Sequence, residues 1–191
     1  MTRPLRIVGV SGSLREPSKT TALVRALIDE VEGRGPAEST LIELTTLGPA
    51  FAGALRREDA APEVEEALRA IEDADLLIVA SPVYRASFTG LFKHLFDFVG
   101  QYSLVGTPVL LAATGGGERH ALILEHQLRP LFGFFQALTL PLGVYASDTD
   151  FDGYELASGD LRRRIDQAIT RSWPLIEQAA EQRVSEYVAT W

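Results

Sequence analysis

The chain has 191 residues, 46% of them hydrophobic and 23% charged, with a formal net charge of −8. That length holds one domain with a sizeable core, and the acidic balance argues against a nucleic-acid backbone as partner. The absence of cysteine excludes disulfides, thiolate catalysis and Cys-ligated metal sites, and no apolar run reaches membrane-spanning length. Leu5 to Val10, apolar and β-branched, reads as a buried first strand, entered without an apolar leader, so a cytoplasmic location is expected.

The first helix is expected from Ser18 to Glu32, ended by Gly33-Arg34-Gly35-Pro36. A short, more polar second strand follows at Thr40 to Leu44, suited to a sheet edge, then a loop from Thr45 to Arg57. Pro62 opens a helix reaching about Ala74. Asp75 to Ala80 is the third strand, apolar on both faces like a central parallel strand. A helix is expected over Phe88 to Val99, a fourth strand over Thr107 to Ala113 and a helix over Ala121 to Ala137. The fifth strand, Leu138 to Ala146, an acidic loop, Ser147 to Gly159, and a last helix, Asp160 to Val184, complete the chain as one domain. Alternating strands and helices predict a doubly wound α/β fold, with its ligand beyond the carboxyl ends of the strands.

Three loops leave those ends. The first, from Ser11 to Thr20, holds the hydroxyls of Ser11, Ser13, Ser18 and Thr20, the glycine Gly12, and the cations Arg15 and Lys19. A strand-to-helix loop aims unpaired N–H groups and the positive end of the helix dipole at one spot, which suits an anion. A simple helix cap would need one hydroxyl, Ser18 for instance, and this loop has four. It lacks the glycine spacing of dinucleotide and nucleotide-triphosphate loops, so the terminal phosphate of a mononucleotide such as FMN fits better.

The second loop, Ser81-Pro82-Val83-Tyr84-Arg85-Ala86-Ser87, joins a fixed φ to an aromatic and a cation. Its N–H groups are expected to meet a planar heterocycle, Tyr84 to pack on the ring, and Arg85 to stack or contact a phosphate. In the third, Thr114-Gly115-Gly116-Gly117, the glycines let backbone approach a flat ligand. Arg119 and His120 follow as dinucleotide contacts or as a solvated loop. Phe88, Leu91, Phe92, Leu95, Phe96 and Val99 form a stripe too wide for one helix face, so a homo-oligomer, dimer or tetramer, is expected. Pro130 disturbs the helix turn near His126, where a π-bulge would be sought.

Together these loops resemble the NAD(P)H-dependent FMN reductase family. The motifs are Gly12-Ser13-Leu14-Arg15-x-x-Ser18, Ser81-Pro82-Val83-Tyr84 with Gly90-x-x-Lys93, and Ala113-Thr114-Gly115-Gly116, and the likeness runs from Leu5 to about Trp173. Within the family the chain looks most like the flavin reductases of two-component alkanesulfonate and methanesulfonate monooxygenase systems. The resemblance implies a flavodoxin-like three-layer α/β/α fold with a five-stranded parallel sheet of order 2-1-3-4-5. It implies an FMN phosphate held by Ser11, Ser13, Leu14, Arg15, Ser18, Lys19 and Thr20, although many family members carry Asn where Thr20 stands. The flavin ring would lie against Pro82, Val83, Tyr84, Arg85 and Ala86, with Thr114, Gly115, Gly116 and Gly117 at its far edge. A tetramer with a π-bulge near His126, and a partner flavin-dependent monooxygenase, are implied in the same way. Hydride would pass from NADH or NADPH to FMN without a protein general base or metal. The rival expectations are an FMN-retaining quinone or azo reductase and a flavodoxin-like electron carrier.

Overall fold

The computed structural model describes residues 3–157 and 159–181. Its sheet is built on β1 (Leu5–Ser11), β2 (Ala37–Glu43), β3 (Leu76–Pro82) and β4 (Pro108–Gly115), all parallel. The last position is shared by β5 (Leu138–Thr139) and β6 (Val144–Ser147), both paired with β4, which gives the order β2-β1-β3-β4-β5. The helices are α1 (Lys19–Glu32), α2 (Leu44–Phe51), α3 (Pro62–Asp73), α4 (Gly90–Asp97), α5 (Arg129–Phe134) and α6 (Gly159–Glu181). A small antiparallel hairpin, β7 (Phe151–Asp152) with β8 (Glu155–Leu156), precedes α6. The expected end of the last helix at Val184 lies outside the described residues.

Strand residues alternate between two cores, because successive side chains of a strand face opposite sides. Val8, Val10, Leu77, Val79, Val109 and Leu111 pack with α2 to α5. Ile7, Leu76, Ile78, Ala80, Leu110 and Ala112 pack with α1 and α6. β3 and β4 are buried along almost their whole length, as interior parallel strands must be, whereas half-exposed β2 takes the edge. The chain leaves neighbouring β1 and β3 toward opposite faces, through α1 and α4, so the switch point in strand order, where such folds bind ligands, lies at their carboxyl ends.

Four expectations need correction. Residues 44–51 form α2, not a loop: Leu44, Gly48 and Phe51 are buried at helical spacing, and that packing outweighs the break signalled by Gly48-Pro49. The fifth strand is split, because Pro141 lacks an N–H for the ladder and Gly143 runs so close to β4 that a Cβ would sit 2.9 Å from Leu111 O. The helix expected from 121 to 137 is shorter, and it is interrupted where the sequence placed the disturbance: a π-helical stretch, Leu124–Leu128, containing His126, precedes α5. Pro130 lacks the N–H for the bond to residue 126, and the preceding turn widens. Finally, Phe92, Leu95, Phe96 and Val99 are buried inside the chain, with Phe96 stacked edge-on against Phe132 at 4.9 Å. The width of the α4 stripe is thus largely taken up by the intramolecular core, and only Phe88 and Leu91 remain half-buried.

Candidate functional site

The β1–α1 loop folds back onto the sheet. Gly12 N donates to Ala80 O at 2.7 Å, and a Cβ on Gly12 would lie 2.8 Å from Phe92 Cδ2 and 3.1 Å from Ala80 O. Only glycine therefore allows the loop to press so closely on β3 and α4. Thr89 caps α4 and donates its hydroxyl to Gly12 O at 2.8 Å, while its N–H donates to Ser81 Oγ at 3.1 Å. Thr89 thus locks the first loop to the second, a role that sequence reading missed. The Thr-Gly pair at a helix start was the available signal, one residue after the expected boundary.

The four hydroxyls of the first loop divide into two pairs. Ser11 Oγ shares a hydrogen bond of 2.8 Å with Thr21 Oγ1, and Thr20 Oγ1 one of 2.6 Å with Thr114 Oγ1, both buried. These two hydroxyls fasten the loop to the body of the domain. Ser13 Oγ stays within its own loop, accepting from Arg15 N at 3.3 Å and donating to Arg15 O at 3.1 Å. Ser18 caps α1, accepting from Thr21 N at 3.2 Å. Lys19 is also committed: its ammonium donates to Asp148 Oδ1 at 2.7 Å and lies 5.5 Å from the Phe151 ring centroid. Leu14, 37% exposed, and Arg15 stand outward beside the start of α1.

The second loop is a tight hairpin. Tyr84 N donates to Ser87 O at 2.8 Å and Ser87 N to Tyr84 O at 3.1 Å, with Arg85 and Ala86 at its tip. Both tip residues have left-handed backbone, φ 51° and 68°, a conformation that costs a non-glycine residue on the order of 1 kcal/mol. The expected free N–H groups of Val83 and Tyr84 are not free. Val83 N donates to Thr114 O at 2.8 Å, and Tyr84 N closes the hairpin, because Pro82 continues β3 and the ladder takes up its successors. The unladdered N–H groups are those of Arg85 and Ala86. Tyr84 remains 39% exposed, and Ser87 Oγ donates to Gln127 Oε1 at 3.0 Å, tying the hairpin to the π-helical stretch that holds His126.

The third loop leaves β4 beside β6. Thr114 and Gly115 pair with Ala146 and Ser147, and Gly115, Gly116 and Gly117 continue toward a 3-10 turn at Glu118–His120. The loop thus connects at Thr114 both to Thr20 of the first loop and to Val83 of the second. Three loops predicted to converge do meet at one end of the sheet.

Among the described residues, Arg15, Arg85 and Arg119 have no carboxylate partner, and neither do Arg162 and Arg171 on α6, although the chain is strongly acidic and most other arginines are paired. The first three each stand on one of the three loops. With the open start of α1, Arg15 and Ser18 form the donor set an anionic group requires, and no other site among the described residues combines a helix start with an unpaired cation and a close-packed glycine loop.

A family model described as NADPH-dependent FMN reductase matches residues 5–152. The NADH-dependent FMN reductase SfnF of Pseudomonas fluorescens is 55% identical over 175 residues, covering 92% of this chain and 94% of its own. An FMN reductase (NADPH) of Pseudomonas aeruginosa is 53% identical, covering 95% and 97% respectively. Among solved structures, an oxidoreductase from Corynebacterium diphtheriae superposes with a TM-score of 0.80 at 34% identity, over 93% of this chain and 99% of that one.

Proposed function

This chain belongs to the NADPH-dependent FMN reductase family, and from that premise we propose that it reduces FMN with NADH or NADPH and releases the reduced flavin to a separate monooxygenase. The observation that carries the reading is the composition of the anion site. Arg15, the hydroxyl hydrogen of Ser18 and the first N–H groups of α1 are left for an anion, while Ser11, Ser13, Thr20 and Lys19 are engaged within the protein. Such a set fits a single terminal phosphate. With most of the loop's side-chain donors committed elsewhere, it would hold that phosphate at moderate strength, which suits a flavin that arrives and leaves.

Bound there, FMN supplies the ring that takes two electrons as hydride from the nicotinamide, with a proton from solvent completing the reduction. The chain's own part is binding and alignment. Arg15 and the α1 dipole would hold the phosphate, and Tyr84 with the Arg85 and Ala86 N–H groups of the strained hairpin would meet the ring. Gly116 and Gly117 admit the opposite edge against bare backbone. Backbone N–H groups near the ring stabilise the charge that develops on it, and no side chain has to move a proton. Arg119, in the turn after the glycine loop, would meet the phosphates of the dinucleotide.

A sulfonate-directed monooxygenase is the recipient proposed for the flavin, on the resemblance of the sequence to the reductases of such systems; the NADH-dependent FMN reductases SfnF and SfnE are among the relatives, at 55% and 52% identity. A homo-oligomer, dimer or tetramer, and a cytoplasmic site of action, where reduced nicotinamide nucleotides are available, complete the proposal. The test is to load the protein with FMN, pass it through a desalting column, and then assay NADH and NADPH oxidation against FMN concentration. The protein should emerge colourless and show saturable dependence on added FMN. Stoichiometric flavin eluting with the protein, and turnover only with an added quinone, would contradict release.

A further inference from the structure

We infer that Tyr145 is a positioning residue for the flavin ring, holding the Gly115–Gly117 loop in the conformation that leaves space at its outer side; the inference deepens the functional reading above and rests on it. Tyr145 lies on β6 opposite Ala113, is 8% exposed, and donates its phenol hydrogen to Gly117 O at 2.7 Å. The same phenol lies under Gly115, where a Cβ would collide with its oxygen and meet Val83 Cγ2 at 3.4 Å. One hydroxyl therefore accounts for two features of the loop: glycine at 115 and the direction of the carbonyl at 117. Because the peptide is planar and trans, fixing that carbonyl on Tyr145 turns the Glu118 N–H to the opposite side.

Gly116 and Gly117 call for a different explanation. Neither has left-handed backbone. A Cβ on Gly117 would meet nothing within 4 Å, and one on Gly116 only Asp148 Oδ2 at 3.7 Å. The chain's own packing therefore does not require glycine at either position, and bare backbone there leaves room for a ligand to approach. The loop is anchored at its start by Thr114, bonded to Thr20 and Val83, and at its end by Tyr145, so the bare backbone between is held still as a ledge. A ledge bound at both ends presents its N–H groups without reorganisation when a ring arrives.

Tyr145→Phe keeps the ring and removes only the hydroxyl. In the ligand-free protein, amide hydrogen exchange at 115–118 should quicken about tenfold, with the α6 amides unchanged. KM for FMN should rise about tenfold, while kcat at saturating FMN and KM for NADH stay within twofold. The visible difference spectrum of bound FMN should also shift, because the donors at the ring edge are displaced. Gly117→Ala, which the chain can accommodate, should leave the thermal midpoint unchanged and yet raise KM for FMN, since its methyl occupies the ledge. Unchanged FMN parameters in Tyr145→Phe, whether or not exchange quickens, would overturn the inference while the flavin reading stands. Wild-type protein that binds no FMN would overturn the reading, and the inference with it.

Discussion

The two ends of the sheet differ in the charge they leave unpaired. At the amino end Asp75, 1% exposed in its side chain at the head of β3, accepts from Arg3 Nη2 at 2.8 Å and from Arg6 N at 2.9 Å, with Arg6 Nη2 at 3.4 Å. Burial pushes the Asp75 carboxyl up, but the bonds from Arg3 and Arg6 more than offset it and bring it to about 2. At the carboxyl end Arg15, Arg85 and Arg119 stand without carboxylates among the described residues, and Arg85 and Ala86 keep a costly backbone conformation. A group satisfied inside the chain contributes to stability. Cations and strain left over at one rim are what a ligand completes.

The largest effect expected on this contrast is at the closed end. Asp75→Asn should destabilise the fold by about 2 kcal/mol at neutral pH, read from urea midpoints, without altering FMN affinity. The folded carboxyl titrates near 2, below the ordinary value of 3.8, so its contribution is present above about pH 4. As pH falls from 4 toward 2 that contribution is lost, and wild type and variant should converge. A variant that also weakened FMN would break the separation of the two ends.

At the open end the signs reverse. Ala86→Gly should stabilise the protein by about 0.5 kcal/mol, because glycine adopts the left-handed conformation freely. It should also raise KM for FMN a few-fold, as the hairpin loosens. Smallest of all, Lys19→Met should change stability by less than about 0.5 kcal/mol, since the Lys19–Asp148 pair is solvent-exposed. FMN affinity should shift less than about threefold, because the ammonium is already occupied by Asp148. A large loss in that variant would show Lys19 leaving Asp148 for the phosphate.

Sequence alone located β1, β3 and β4, because each is a short run dominated by apolar residues, and it brought three separated loops to one edge through alternation alone. It went astray where tertiary contact decides. Gly48-Pro49 conceals α2, whose Leu44 and Phe51 are buried in the core. The near-contact of Gly143 with Leu111, which divides the last strand, involves residues 32 apart. Most instructive are the hydroxyls: spacing revealed four of them, but not that Thr20 is bonded to Thr114, 94 residues on. Thr89 and Tyr145 escaped notice for the same reason, since each acts on a backbone carbonyl far along the chain. The α4 stripe was legible as excess apolar surface, yet only packing against Phe132 and Phe135 shows where most of it goes.

The most direct test titrates FMN into wild-type protein and the Arg15→Ala/Ser18→Ala double variant, following flavin fluorescence. Wild type should quench the flavin saturably, and the double variant should lose about a hundredfold in affinity while its urea midpoint falls by no more than the loss of one helix cap. Equal affinity in both proteins, or no quenching by wild type, would contradict the placement of the flavin phosphate at the start of α1.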